Sequence, residues 1–323
     1  MVSIKHIAKD LGVSAATVSY ALSGKGRVSR ALAERIRARA EDLGYRPSVA
    51  ARALKTGRSG ILGLVMPDLT NPLFPRMAQT LATVADSRGL GILIADSRGR
   101  ADEQSEALRR LVGRGVDGVL VIPRKGSVPE PQPVPMIVIN TASDPGSAVS
   151  ADHAGGGALV AGHLAALGHR RIAIIGGDPV SEVQRDRIAG MVAALPPDAD
   201  AQTGWGDAGI AALAERVAAG ATAVMTTSDL LALRAHSELR RAGLNVPGDV
   251  SLTGFDDLPL ATAMHPSLTT VAQDVRTIAE HAIEMITARI AGEPGEDCPR
   301  TVPMRLICRE STSTPRTNKE VQP

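Results

Sequence analysis

Two groups of residues in this chain could do chemistry. The first is Ser14, Ala15, Ala16, Thr17, Ser19 and Tyr20, small hydroxyls and methyls at helical spacing just after Gly12. Hydroxyls of this kind suit phosphate oxygens, methyls suit the thymine methyl group, and Tyr20 adds a hydroxyl and a ring. The second group closes apolar runs farther along: Asp68, Thr70 and Asn71; Asp96; Asn140; Ser228 and Asp229; Asp256 and Asp257. Gathered at strand ends, such side chains would hydrogen-bond a small polar ligand.

The first group needs a helix to present it. Ile4, Ile7, Ala8 and Leu11 share one face of a first helix, and Gly12 permits a tight turn. Ser14 can cap a second helix running to about Leu22, with Val18, Ala21 and Leu22 inward. Ser29 can cap a third, with Leu32, Ile36, Ala40 and Leu43 inward and Gly44 ending it. Two short helices joined at a glycine and buttressed by a third form a helix-turn-helix, whose second helix would enter the major groove of DNA. It offers no Arg, Asn or Gln for bidentate base contacts. Weak direct readout, with more from DNA shape, is therefore expected. Charge agrees: residues 1–60 carry a net +8 and the remainder a net −6, a basic head suited to phosphate on an acidic body.

The second group needs a sheet. ILGLVMP, LGILIAD, DGVLVIP, PMIVIN, RIAIIGG, TAVMTTSD and VSLTGFDD alternate with amphipathic stretches such as FPRMAQTLATVADSRG and GGALVAGHLAALGH. That alternation predicts an α/β body with parallel sheets. Of five aromatics, Tyr20 and Tyr45 belong to the head, leaving Phe74, Trp205 and Phe255 for the body. They are either stacking surfaces near strand ends or ordinary core.

VSAATVSYALSGKGRVS followed by LGYRPSVAARALKTGR resembles the lactose-repressor (LacI/GalR) family, and the likeness covers essentially the whole chain. LVMPDLTNPLF, GHRRIAIIGG, RDRIAGM, VPGDVSLTGFDD and HPSLTTVAQD are similar to segments of the sugar-binding core that this family shares with periplasmic ribose-binding proteins. The resemblance implies a helix-turn-helix domain at 1–46, a hinge helix and linker at 47–60, and a two-lobed effector-binding and dimerisation domain at 61–323. The hinge helix would start at Pro47 and be too short to stand alone in water. Leu54 matches the family's leucine that wedges into the minor groove. In the body, the resemblance implies that Asn71 and Phe74 line the pocket and Asn140 its rim. It implies that Arg187 grips the ligand, Trp205 stacks on it, and Ser228, Asp256 and Gln273 complete a polar ring. Arg187 as a structural ion pair is the competing reading. Leu73, Ser228 and Asn140 depart from the residues usual at their positions. A sugar leads among effectors, with a nucleoside, a polyol or another polar metabolite open.

The chain is thus expected to be a cytoplasmic homodimeric regulator, more often a repressor, that binds a pseudo-palindromic double-stranded operator under control of a small-molecule effector. Catalytic, metal and cofactor sites are not expected: no nucleophile elbow, P-loop, clean dinucleotide fingerprint or metal-ligand spacing is present. No apolar run reaches membrane-span length, and the amphipathic N-terminus does not read as a signal peptide. Cys298 and Cys308 are expected as free thiols. A solute-binding protein without regulatory role and a regulator gated by a protein partner are the rival readings.

Overall fold

The computed structural model describes residues 3–23, 28–45, 57–144, 146–293 and 299–316. Residues 47–56 of the expected hinge and linker, Leu54 among them, lie outside these, as does Cys298. The chain divides into two compact units, Met1–Ser59 and Gly60–Pro323.

The first unit holds α1 (Ile4–Leu11), α2 (Ala15–Ser23) and α3 (Arg30–Asp42). Gly12 takes a left-handed φ of 65°, which only glycine adopts without strain, and closes α1. Ile7, Val18 and Ile36 are fully buried at the junction of the three helices. Ala8, Ala21, Ala33 and Ala40 fill the remaining core, their small side chains letting the helices approach closely. An Arg39–Asp10 ion pair at 2.7 Å ties α3 to α1. Ser14 caps α2 by accepting from the Thr17 N–H at 3.0 Å. Ser29 stands at the start of α3 in extended backbone, but its side chain makes no capping bond. That helix starts instead on the backbone bond from the Ala33 N–H to the Ser29 carbonyl, 2.9 Å.

The second unit contains strands β1 (Ile61–Met66), β2 (Gly91–Asp96), β3 (Gly118–Val121), β4 (Met136–Thr141), β5 (Val149–Ala151) and β6 (Arg171–Gly176). It continues with β7 (Asp200–Trp205), β8 (Ala223–Thr226), β9 (Ser251–Thr253), β10 (Thr270–Gln273), β11 (Arg300–Val302) and β12 (Met304–Ile307). Its helices are α4 (Leu73–Ser87), α5 (Ala101–Gly113), α6 (His153–Ala166), α7 (Glu182–Ala193), α8 (Gly206–Ala211), α9 (Leu213–Ala218), α10 (Asp229–Arg241), α11 (Pro259–Ala263) and α12 (Val275–Ala291).

Two parallel sheets define two lobes. The first is six-stranded, in the order β11-β5-β4-β3-β1-β2, and the second four-stranded, β7-β6-β8-β9. Their continuous apolar strands are buried because helices cover both faces. β10 and β12 form a separate antiparallel pair. The chain passes from lobe to lobe after β5, after β10 and after β11. The Asp152 N–H, on the first crossing, bonds the Val302 carbonyl of the third at 2.8 Å. In lobe two, α6 and α7 touch backbone to backbone. A Cβ on Gly157 would collide with the Arg187 carbonyl, and one on Gly190 with the Ala154 carbonyl. Among the described residues no helix is long and apolar enough to cross a membrane, no acidic, histidine or cysteine cluster is arranged for a metal, and Cys308 is free.

Candidate functional site

A cavity of about 420 Å³ opens between the lobes. Lobe one supplies an apolar wall from Leu73, Phe74, Met77, Ile122, Ile139 and Ile278. Asn71 sits in the turn after β1, where its side-chain oxygen accepts from the Leu73 N–H at 3.1 Å and starts α4. That single bond turns Phe74 onto the wall and leaves the Asn71 amide donors available. Asn140, at the end of β4, donates to Asp144 at 2.8 Å and to Glu182 of the other lobe at 3.4 Å. Thr141 bonds Asp186, also across the cleft.

Lobe two supplies a polar wall built around Arg187. This side chain is 4% exposed. Its Nη2 donates to Asp256 Oδ1 at 2.8 Å, its Nη1 to the Thr227 carbonyl at 2.6 Å, and its Nε to His153 Nδ1 at 3.3 Å. The guanidinium also lies 4.0 Å from the centre of the buried Phe255 ring. Gln273 Nε2 adds a second donor to Asp256 Oδ1, at 2.7 Å. Burial, then the neighbouring Arg187 charge, holds His153 well below its ordinary pKa. The ring is neutral, with Nδ1 as acceptor and the proton on Nε2. Arg187 is therefore a structural ion pair and a cavity-lining residue at once, because a guanidinium has five N–H groups and only three are engaged.

Behind this wall Asp229 accepts from the Thr270 hydroxyl at 2.6 Å and the Leu258 N–H at 2.7 Å. Burial first, and the adjacent Asp256 charge second, push its carboxyl up to about 7. Asp256 and Asp257 take positive φ values of 102° and 49°. Non-glycine residues there are strained, and the surroundings hold them. The Asp256 N–H bonds the Val271 carbonyl at 2.8 Å, and Asp257 pairs with Arg309 at 2.6 Å while its carbonyl accepts from Arg76 at 2.8 Å.

Of the body residues read from the sequence, Asn71, Phe74, Asn140, Arg187, Ser228, Asp256 and Gln273 line this cavity. Trp205 does not. Its six-membered ring lies over Gly176, where a Cβ would strike it, and it packs against the lobe-two core. The glycine at the end of β6 leaves a slot that the indole fills. His153, Gln184, Thr227 and Ser181 also line the cavity and were not singled out. Gln184 Oε1 accepts from the Gly177 N–H at 2.5 Å and the Thr227 hydroxyl at 2.8 Å. The Gln184–Arg187 spacing, one helical turn ending in the arginine, was a usable signal. In the head, Ser14, Ala15, Ala16, Tyr20 and Ser29 are exposed, and Thr17 and Ser19 are half-buried. All but Ser29 belong to α2 or its cap.

Known proteins resemble both units of the chain. Residues 3–48 match the bacterial regulatory proteins of the lacI family, and residues 161–312 match a periplasmic binding protein-like domain. The HTH-type transcriptional regulator MalR of Streptomyces coelicolor is 31% identical, over 96% of each chain. The ribose operon repressor of Halalkalibacterium halodurans is 29% identical, over 97% of each. In fold, the lac repressor dimer bound to operator and the anti-inducer ONPF matches with a TM-score of 0.80 at 24% identity, covering 97% of this chain and 99% of that one. With a helix-turn-helix unit, a two-lobed ligand-binding unit and full-length relatives of this kind, the chain is a DNA-binding transcriptional regulator of the LacI family and not an enzyme.

Proposed function

We propose that this regulator binds a pseudo-palindromic operator as a homodimer in the cytoplasm and that a small polyhydroxylated metabolite, foremost a sugar, controls it from the cleft. The observation that carries this reading is the polar wall of the cavity. Asp256 Oδ2 and the Gln273 side-chain oxygen remain as acceptors beside the bonds already described, and Ser228, Asn71 and Gln184 retain donors. Interleaved donors and acceptors suit hydroxyl groups, which are both. Names among the relatives support the class: one is a ribose operon repressor. The two-fold arrangement has its support in the lac repressor dimer, whose fold this chain shares.

On the DNA side the reading assigns Ser14, Thr17, Ser19 and Ser29 to phosphates, and Ala15, Ala16 and Tyr20 to base edges. It gives Leu54 the role of a minor-groove wedge. Effector binding would change lobe closure and the separation of the two hinges. An allosteric coupling of about 1–3 kcal/mol changes operator affinity roughly 5- to 150-fold.

The test is fluorescence anisotropy of the full-length protein on DNA upstream of its own gene, at fixed salt, with and without a panel of sugars and related metabolites. Palindrome-specific binding that one compound shifts is the expected result. Sequence-blind binding would remove the operator assignment. Leu54→Ala should weaken specific binding by about tenfold or more and leave effector affinity intact. Unchanged operator affinity would remove the wedge.

A further inference from the structure

We propose that the effector carries an anionic group, a phosphate ester or a carboxylate, and that the N-terminal end of α7 receives it. This rests on the cleft being the effector site.

Ser181 precedes α7 in extended backbone, and its side chain makes no capping bond. The first backbone bond of the helix runs from the Arg185 N–H to the Ser181 carbonyl, 3.0 Å. The N–H groups of Glu182, Val183 and Gln184 therefore have no acceptor inside the helix, and helix N-termini of this kind attract anions. All three residues and Ser181 line the cavity.

Independent features point the same way. Ser181 is only 5% exposed, and among the described residues its hydroxyl has no hydrogen-bond partner. Opening onto the cavity, that hydroxyl is available to bond a ligand there. The Gln184 amide is pinned by its oxygen, so its N–H groups are the end left over. On lobe one, Arg124 lines the same cavity. Its guanidinium is held by the Gly99 and Lys125 carbonyls at 2.6 and 3.1 Å, and by no carboxylate among the described residues.

The acids nearby are already engaged. Asp178 accepts from the Val180 N–H at 2.9 Å and pairs with Lys125 at 3.7 Å. Glu182 accepts from Asn140 at 3.4 Å and faces Arg185 at 3.9 Å. Asp68 accepts from the N–H and hydroxyl of Thr70 at 2.8 and 2.6 Å. The first amides of α7, the Ser181 hydroxyl and the Arg124 guanidinium keep donors that these acids do not use, while Asp256 and Gln273 keep acceptors for hydroxyls. The matching ligand is a sugar phosphate or a sugar acid.

The experiment uses the full-length protein and matched compounds. D-Ribose is compared with D-ribose 5-phosphate and D-ribonate, and D-glucose with D-glucose 6-phosphate and D-gluconate. Calorimetry reads affinity, and operator anisotropy reads the response. An anionic member should bind at least about tenfold tighter than its neutral parent. Arg124→Gln and Ser181→Ala, each checked for an unchanged melting curve, should each reduce that preference severalfold. Whether the ester or the acid prevails names the anion. Neutral parents that bind as well as their anionic forms, or a preference that survives both substitutions, overturn the proposal. Operator release by a neutral sugar alone leaves the effector reading standing without the anion. If no compound binds or shifts operator affinity, the effector reading falls and takes the anion with it.

Discussion

At the scale of single residues, the Arg187–Asp256 pair shows how a buried charge is made tolerable. Each partner is almost wholly removed from water, and the pair is completed by Gln273, the Thr227 carbonyl and the Phe255 ring. Removing one partner strands the other, which costs about 3–5 kcal/mol. Arg187→Ala and Asp256→Ala should each lower stability by that order. The double variant should lose clearly less than the sum, as urea unfolding of the four proteins would show. Strict additivity would mean the pair is not coupled. Asp229 gives a pH signature. Its carboxyl is raised to about 7 in the folded protein, so it holds a proton that the unfolded chain has released. The stability it contributes is complete below about pH 4 and is lost as pH rises through about 7. His153, held below its ordinary value, acts in the opposite sense on the acid side. Comparing Asp229→Asn with the parent cancels that contribution. Asn can accept from the Leu258 N–H through its oxygen and donate its amide to the Thr270 hydroxyl, reversing that bond, so the variant should gain on the order of 2 kcal/mol relative to the parent between pH 5 and 7. Parallel stability profiles for the two proteins would contradict this.

At the scale of elements, the long apolar runs were readable as strands because a parallel strand buried on both faces must be apolar throughout. The edge strand β7, DAQTGW, gives no such run, since one side faces solvent. Strands β5, β10, β11 and β12 are three or four residues long, too short for a period to register. The triple glycine of α6 is the sharper case. Read locally, Gly155, Gly156 and Gly157 weaken a helix. In the fold Gly157 lets α6 lie against the Arg187 backbone of α7, with Gly190 answering from the other helix, while Gly156 makes room for Phe255 and Met304. Asp256 was legible as the polar end of an apolar run, and Arg187 through the family resemblance. Gln184 and His153 escaped because their partners are distant in sequence, and Trp205, singled out by its scarcity and by the resemblance, lies outside the cavity lining. Since α7 carries Arg187, its seat sets the cavity. Gly190→Ala should force the helices apart, cost about 1–3 kcal/mol, and weaken effector binding more than it weakens operator binding. A variant with normal effector affinity would show that this contact does not position Arg187.

At the scale of the whole molecule, charge is segregated by unit: +8 in residues 1–60 and −6 in the rest. The basic unit supplies the counterion release that drives DNA association, and the net charge of the other unit disfavours its lying along the DNA backbone. The three crossings between lobes have a further consequence, for the order in which the protein comes into being. Lobe one gains its outer strand β11 only at 300–302, and lobe two is closed by Ser311, whose carbonyl accepts from the Leu252 N–H at 2.8 Å. Neither lobe is a continuous stretch of chain. As the polypeptide leaves the ribosome, the three-helix unit has its whole core in hand by residue 45, whereas both lobes wait for the final segment. A chain stopped at 298 should keep the helical signal of the first unit and lose cooperative unfolding of both lobes together, as limited proteolysis and circular dichroism would reveal. Survival of one intact lobe would mean the lobes mature separately. On that order of events a nascent copy completes its three-helix unit before the cleft between its lobes.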